Sequence, residues 1–351
     1  METIKVSASR EYNVNIGADF LNTVGEKIKE IKRLCRVVII SDDNVFPLYG
    51  KTVKESLIDR GYSVCEFVVP NGEESKSFEN YQKILEFCAE NSITRTDLFV
   101  ALGGGVVGDL TGFVASTYLR GVDFVQIPTT LLSMVDSSVG GKTAINLKAG
   151  KNLCGAFYQP IAVFADCDTL DTLPDEYFND GCAEIIKFGM VSDKDFLAFL
   201  QENNIKENLQ YVIKKCVELK RDIVGRDEFE KGERKLLNFG HTIGHAVEKC
   251  SNYKISHGNA VAIGMTIATK GAYEVGMCEE DLSYVLLSLL KKNNLPITCE
   301  FSAQDLCRSA LSDKKRSLDT MSLIVPEELG LCKIMKLPVE ELKNFIEKGM
   351  N

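Results

Sequence analysis

Four strand-like runs constrain this chain more than any other feature: RVVIIS from Arg36, YSVCEFVV from Tyr62, DLFVAL from Asp97 and VDFVQIP from Val122. All are rich in β-branched and aromatic residues, and RVVIIS, apolar without a break, predicts a strand buried on both faces. Helical patterns lie between them, at Phe46 to about Arg60 and Phe78 to Asn91. Strands that alternate with helices predict a parallel sheet covered by helices. Ahead of the runs, TIKVSA and YNVNIG alternate like the strands of a hairpin, and a helical pattern follows from Ala18 to about Lys32. In such a sheet ligands bind at the carboxyl ends of the strands, so the loops there are where chemistry is expected.

Three of these loops carry candidates. After RVVIIS, Asp42 and Asn44 suit ribose hydroxyls or an adenine edge, with an ordinary turn role as the competing reading. After YSVCEFVV, the PNGEESK loop offers Glu73 and Lys76, which a solvated helix start would also explain. After DLFVAL comes GGGVVGDLTGF, with Gly103, Gly105 and Gly108 in GxGxxG spacing and Asp109 next. Strand before and helix after are the context in which backbone amides and a helix N-terminus face a pyrophosphate. The motif does not stand at the first βα turn, where the usual dinucleotide fingerprint lies, and close backbone packing is the alternative.

Beyond VDFVQIP, Thr129 and Thr130 stand where they can bond to a cofactor. The tract that follows holds Asp136, Gly140, Gly141, Lys142, Lys151 and Asn152. GGKT there lacks the first glycine of a P-loop, which argues against a nucleoside triphosphatase. Lysines on glycine-flanked backbone still suit an anionic substrate.

All three histidines of the 351-residue chain, His241, His245 and His257, fall within one short stretch. In LNFGHTIGHAVEKC, Leu237, Ile243, Val247 and Cys250 have helical spacing, so His241 and His245 share a face, and His257 opens the next helical pattern. Imidazole is a common zinc ligand, and a catalytic zinc takes three protein ligands with one position open. Thr242 stands where an HExxH metalloprotease has its glutamate, which excludes that class. Histidines that merely pack on an amphipathic helix are the competing reading.

A net charge of −9 argues against nucleic acid or an anionic membrane as a partner, while leaving room for a local cationic pocket. The twelve cysteines are dispersed, show no CxxC spacing and often sit in apolar runs, so they read as reduced core residues of a cytoplasmic protein. No apolar run is long enough to span a bilayer, and the start lacks a signal-peptide core.

Taken together, PNGEESK, GGGVVGDLTGF, RGVDFVQIPTTLLSMVDSSVGGKTAIN, GKN, CAEIIK and LNFGHTIGHA followed by HG closely resemble the 3-dehydroquinate synthase family of the shikimate pathway. The dense motifs span roughly residues 36 to 270. The resemblance implies a Rossmann-like α/β NAD-binding domain with a parallel sheet, 1–168, an all-α metal- and substrate-binding domain, 169–351, a cleft between them holding zinc, and a homodimer. It implies conversion of 3-deoxy-D-arabino-heptulosonate 7-phosphate to 3-dehydroquinate and phosphate, by NAD-mediated transient oxidation, β-elimination, reduction, ring opening and aldol closure. Other sugar phosphate cyclases, metal-dependent polyol dehydrogenases and a non-catalytic NAD-binding subunit compete with it; Arg234, Asn238 and His245 together favour the dehydroquinate pattern.

Carried over position by position, the resemblance implies zinc, with cobalt able to substitute, on Glu184, His241 and His257. From the residues alone Glu184 reads as a surface carboxylate and His245 as a ligand; the resemblance instead makes His245 a substrate contact or proton handler. NAD contacts fall on Asp42, Asn44, Glu73, Lys76, Gly104, Gly105, Val106, Asp109, Thr129, Thr130, Lys142, Lys151, Thr172 and Leu173. Substrate contacts fall on Asp136, Lys142, Asn152, Lys187, Lys220, Arg234, Asn238, His245 and a lysine of the DKK stretch, Lys314 or Lys315, with Arg120 lent across the dimer. Lys220 also continues an apolar stripe of Leu209, Val212, Ile213 and Cys216, where it needs an anionic partner or a route to solvent.

Overall fold

The apolar runs form strands in a computed structural model that describes residues 1–313 and 319–351. The chain divides into two compact units, Met1–Pro174 with Lys220–Glu228, and Asp175–Leu219 with Phe229–Asn351. In the first lie β1 (Glu2–Ser7), β2 (Glu11–Gly17), α1 (Val24–Ile31), β3 (Arg36–Asp42), α2 (Lys51–Asp59), β4 (Ser63–Val69), α3 (Phe78–Glu90) and β5 (Leu98–Gly103). They are followed by α4 (Gly105–Thr117), β6 (Asp123–Pro128), β7 (Lys142–Leu147), β8 (Gly150–Phe157) and β9 (Ala162–Asp166).

Seven strands form one sheet in the order β1-β2-β9-β6-β5-β3-β4. Every pairing in it is parallel except β1 with β2, the opening hairpin. Burial on both faces explains the unbroken run of β3. Val37 and Ile39 pack with Val24 and Ile28 of α1 and with Val53 and Leu57 of α2. Val38 and Ile40 point the other way, to Ile84 and Cys88 of α3 and Leu110 and Val114 of α4. Each fully buried Val or Ile there contributes roughly 1.5–3 kcal/mol relative to exposure. Because β3 is flanked by β4 on one side and β5 on the other, the strand order reverses there. The carboxyl ends of β3 and β5 therefore flank a topological switch point, the place where open α/β sheets take their ligands.

From Lys142 on, the glycine- and lysine-bearing tract forms a separate antiparallel hairpin, β7 paired with β8. Thr143, Ala144 and Ile145 are buried, whereas Lys142, Leu147 and Leu153 are exposed, and that mixture hides the strand pattern from a reading by periodicity.

The second unit holds α5 (Asp175–Ser192), α6 (Lys194–Glu202), the first turns of α7 (Leu209–Arg226), α8 (His241–Cys250), α9 (His257–Glu274), α10 (Ser283–Lys292) and α11 (Ala303–Asp313). Next come β10 (Thr320–Glu328), β11 (Leu331–Pro338) and α12 (Leu342–Met350). The helical character expected of this half is interrupted by the β10–β11 hairpin. Met321 and the run Leu323, Ile324 and Val325 are buried, and Gly330 supplies the left-handed turn residue with φ +78°. No helix among the described residues is long and apolar enough to cross a membrane.

Candidate active site

At the switch point of the first unit, Asp42 ends β3 and its Oδ1 accepts the backbone amides of Asn44 and Val45, each at 2.9 Å. Burial raises its carboxyl above the usual range. Gly104 leads into α4, whose first amides receive no side-chain cap, and Val106 follows in its first turn. A Cβ on Gly104 would come within 3.0 Å of Thr130 Cγ2, and one on Gly105 within 3.0 Å of Ser137 Oγ. Thr129, buried just after β6, has a hydroxyl oxygen with no hydrogen bond among the described residues. Bare helix amides, a surface that glycine keeps open and a buried unpaired hydroxyl fit the phosphate end of a dinucleotide.

Beside this cradle Lys76 is buried, and its Nζ donates to Asp109 Oδ2 at 2.7 Å and Asn152 Oδ1 at 2.5 Å, with Glu73 Oε1 at 3.8 Å. Burial lowers the lysine's pKa, but Asp109 and Glu73 outweigh it and hold the ammonium above its ordinary value. The Asp109 carboxyl itself is raised, chiefly by burial. Asn146 ties the group together: its Nδ2 donates to Glu73 Oε1 at 2.7 Å, its amide to the Lys76 carbonyl at 2.7 Å, and its Oδ1 accepts the Asn152 amide at 2.9 Å. The sequence reading missed Asn146, and also Tyr49, whose hydroxyl lies 2.6 Å from Thr172 Oγ1. An Asn in a strand and a Tyr in a helical turn are too ordinary to single out.

Thr130 bonds to Ser133, and Leu173 leaves the 3-10 turn Cys167–Thr172. Lys220 finds an anionic partner rather than a route to solvent: its Nζ donates to the Asp136 carbonyl at 2.6 Å and pairs closely with the Asp136 carboxylate. Lys142 opens β7 exposed, and Lys151 lies half-buried on β8. Arg120 stands on an exposed turn where Leu119 and Arg120 both adopt positive φ, 48° and 66°.

The second unit gathers the histidines. Glu184 sits on α5, a helix buried on all sides from Asp180 to Val191, and is 1% exposed. Its Oε1 lies 3.5 Å from His241 Nε2 and 3.4 Å from His257 Nε2. One nitrogen or oxygen from each of the three residues falls within 4.8 Å of the others. Three elements must meet closely for this. A Cβ on Gly258 of α9 would overlap the backbone of Asp180 on α5, and one on Gly264 the carbonyl of Gly240 before α8. Asp180 Oδ1 also accepts from Ser256 Oγ at 2.6 Å and the Asn259 amide at 3.2 Å, which fixes the start of α9 and with it His257.

The electrostatics suit a cation. Burial drives the His241 imidazole well below its ordinary pKa, helped by the charge of Lys187, so it is neutral and able to ligate. His241 Nδ1 lies 3.1 Å from the Phe239 carbonyl, a contact that turns Nε2 toward Glu184. Burial also lowers His257, but Glu184 and Glu248 overcome it and raise the imidazole to about 10. Lys187, one turn along α5 and 1% exposed, pairs with Glu184. Among the described residues neither Glu184 oxygen finds a hydrogen bond of regular geometry despite that pairing. A buried carboxylate so placed, facing two imidazole nitrogens, fits the donor set of a catalytic divalent ion.

Near these groups Arg234 is fully buried in the 3-10 turn Glu233–Asn238. Asn238 Nδ2 donates to Glu230, a carboxylate that the sequence reading did not pick. His245, on the face of α8 that carries His241, is about half exposed, with its side chain at 48%. Lys314 and Lys315 lie outside the described residues.

Comparison with known proteins gives the family. Residues 66–180 match the 3-dehydroquinate synthase N-terminal family and residues 181–316 the 3-dehydroquinate synthase C-terminal family. The chain belongs to the 3-dehydroquinate synthase family. The 3-dehydroquinate synthase of Clostridium kluyveri is 42% identical over 99% of this chain and 98% of its own length. As a 3-dehydroquinate synthase family member the chain is an enzyme, and its product is 3-dehydroquinate. Among solved structures it resembles 2-deoxy-scyllo-inosose synthase complexed with carbaglucose-6-phosphate, NAD+ and Co2+, with TM-score 0.89, 26% identity and coverage of 99% and 100% of the two chains. It also resembles ValA, the 2-epi-5-epi-valiolone synthase of Streptomyces hygroscopicus subsp. jinggangensis with NAD+ and Zn2+ bound, with TM-score 0.87, 25% identity and 99% of each chain covered.

Proposed function

We propose that this member of the family takes 3-deoxy-D-arabino-heptulosonate 7-phosphate as substrate and releases inorganic phosphate. In this reading NAD occupies the first unit, at the cradle of Asp42, Gly104, Gly105, Thr129 and Thr130 beside Lys76 and Asp109. Zinc is held by Glu184, His241 and His257. The observation that carries the reading is the buried Glu184 carboxylate, which faces two imidazole nitrogens at 3.4–3.5 Å and has no regular hydrogen bond among the described residues. When bound, NAD supplies a transient oxidation that is later reversed, and the metal supplies Lewis-acid polarisation of substrate oxygens.

The chain's own residues supply charge and placement. Lys142, Lys187, Lys220 and Arg234 neutralise the phosphate and carboxylate of a polyanion, which a protein of net charge −9 needs locally. Burial of Lys187, Lys220 and Arg234 strengthens such contacts, since little water screens them. Asp136, Asn152 and Asn238 orient hydroxyls, and half-exposed His245 moves the proton of the hydroxyl that is oxidised. Assembly as a homodimer that contributes Arg120, and a place in the cytoplasm, complete the proposal.

The test is turnover. With substoichiometric NAD and added zinc, phosphate release from this substrate should run to many turnovers per NAD and vanish in His257→Ala. Sedoheptulose 7-phosphate and glucose 6-phosphate should be inert. Turnover of either sugar in place of the heptulosonate would assign a different cyclase.

A further inference from the structure

Glu248 belongs to neither the metal set nor the substrate set, yet it is 3% exposed and stands among the histidines. His241, His245 and Glu248 follow one another at i, i+4 and i+7 along α8, so all three project from one face. The Glu248 Oε2 atom lies 3.6 Å from His257 Nδ1 and 4.0 Å from His245 Nε2. On its far side His257 presents Nε2 to Glu184 at 3.4 Å. The His257 ring is therefore held between two buried carboxylates, one at each nitrogen.

The ligating-type atoms of His245, Glu248 and His257 also fall within 4.8 Å of one another, which raises the alternative of a second ion. That ion would require His257 to ligate through both nitrogens as an imidazolate. A carboxylate that accepts the Nδ1 proton instead leaves the Nε2 lone pair where Glu184 and His241 converge. Carboxylates in this position fix tautomer and ring orientation of metal-bound histidines.

We propose that Glu248 is a positioning residue: it holds His257 as the tautomer protonated on Nδ1 and aims Nε2 at the ion, while the same oxygen restrains His245. This rests on the assignment of zinc to Glu184, His241 and His257. The proposal is tested by zinc affinity, measured by chelator competition on folded protein, for the parent, His257→Ala and Glu248→Gln. Nitrogen-15 NMR of the zinc form reads the tautomers directly, because the chain has three histidines.

The parent should bind tightly with His257 protonated on Nδ1, His257→Ala should lose the ion, and Glu248→Gln should weaken binding by about 10–100-fold. A loss of less than tenfold in Glu248→Gln, or a His257 protonated on Nε2, would overturn the positioning role while leaving the metal assignment intact. Equal affinity in the parent and His257→Ala would remove the metal assignment itself. Should Glu248→Gln fail to fold, Glu248→Asp is read by the same threshold, since it keeps the charge but withdraws the carboxylate by one methylene.

Discussion

Asp166, 2% exposed at the end of β9, gathers four backbone amides on one carboxylate. Oδ2 accepts from Phe20 at 2.8 Å and Leu21 at 3.0 Å, and Oδ1 from Asp19 at 3.1 Å and Asp168 at 3.2 Å. Alanine would leave buried donors without a partner, at 1–3 kcal/mol for each such group, so Asp166→Ala should destabilise by about 3 kcal/mol or more. A fall in the urea midpoint checks it. Single residues were the least legible feature of the sequence. Glu184 reads alone as a surface carboxylate because periodicity registers only apolar positions, and burial of Glu184 with Lys187 depends on their pairing inside α5. Glu230, Glu248 and Asn146 gave no signal, because their roles come from partners distant in sequence or from a turn of helix not read for acids. The histidines were legible through their clustering, and Lys220 through its place on an apolar stripe.

At the scale of elements, α6 shows how ends are held. Asp193 Oδ1 accepts the Phe196 amide at 2.8 Å at its start, and Lys292 Nζ donates to the carbonyls of Leu200, Gln201 and Asn203 at 2.8–2.9 Å at its finish. These charges complement the helix dipole. Burial pushes the Asp193 carboxyl up, but Lys215 at 2.7 Å and the Phe196 amide outweigh it, and the group titrates below its ordinary value. Its stabilisation is therefore complete above the unfolded value of about 3.9 and is lost as pH falls through the lower folded one. Asp193→Asn should cost about 1 kcal/mol at pH 7, and the gap should close below about pH 4. Urea midpoints at pH 7, 5 and 3 would show it. Elements buried on both faces were the most legible, since RVVIIS and DLFVAL have no polar interruption to obscure them. The two hairpins outside the main sheet were missed. Lys142–Phe157 mixes glycines and lysines with its apolar positions, and Thr320–Pro338 sits among strong helix patterns that set the expectation for the whole region.

At the scale of the molecule, the first unit is not one continuous stretch of chain. Lys220–Glu228 returns to it after α5 and α6, bringing Lys220 to Asp136 and Glu228 to the opening strands. Glu228 accepts from the Ser9 amide at 2.7 Å, Ser9 Oγ at 2.6 Å and Gln159 Nε2 at 2.8 Å. Glu228→Ala should destabilise this unit by about 1–2 kcal/mol, the range for partly exposed hydrogen bonds to a charge, and speed proteolysis near Ser9. Limited digestion followed by mass spectrometry reads both the site and the rate.

That returning segment also sets a clock during synthesis. Every strand of the seven-stranded sheet has been made once Asp166 leaves the ribosome, yet the partners of Asp136 and Ser9 are still unmade. At 5–20 residues per second, translating the intervening helices takes roughly 3–10 s. For that interval the nascent sheet must stay folded without its last stitch, so the buried β3–β5 core has to hold unaided before Lys220 arrives.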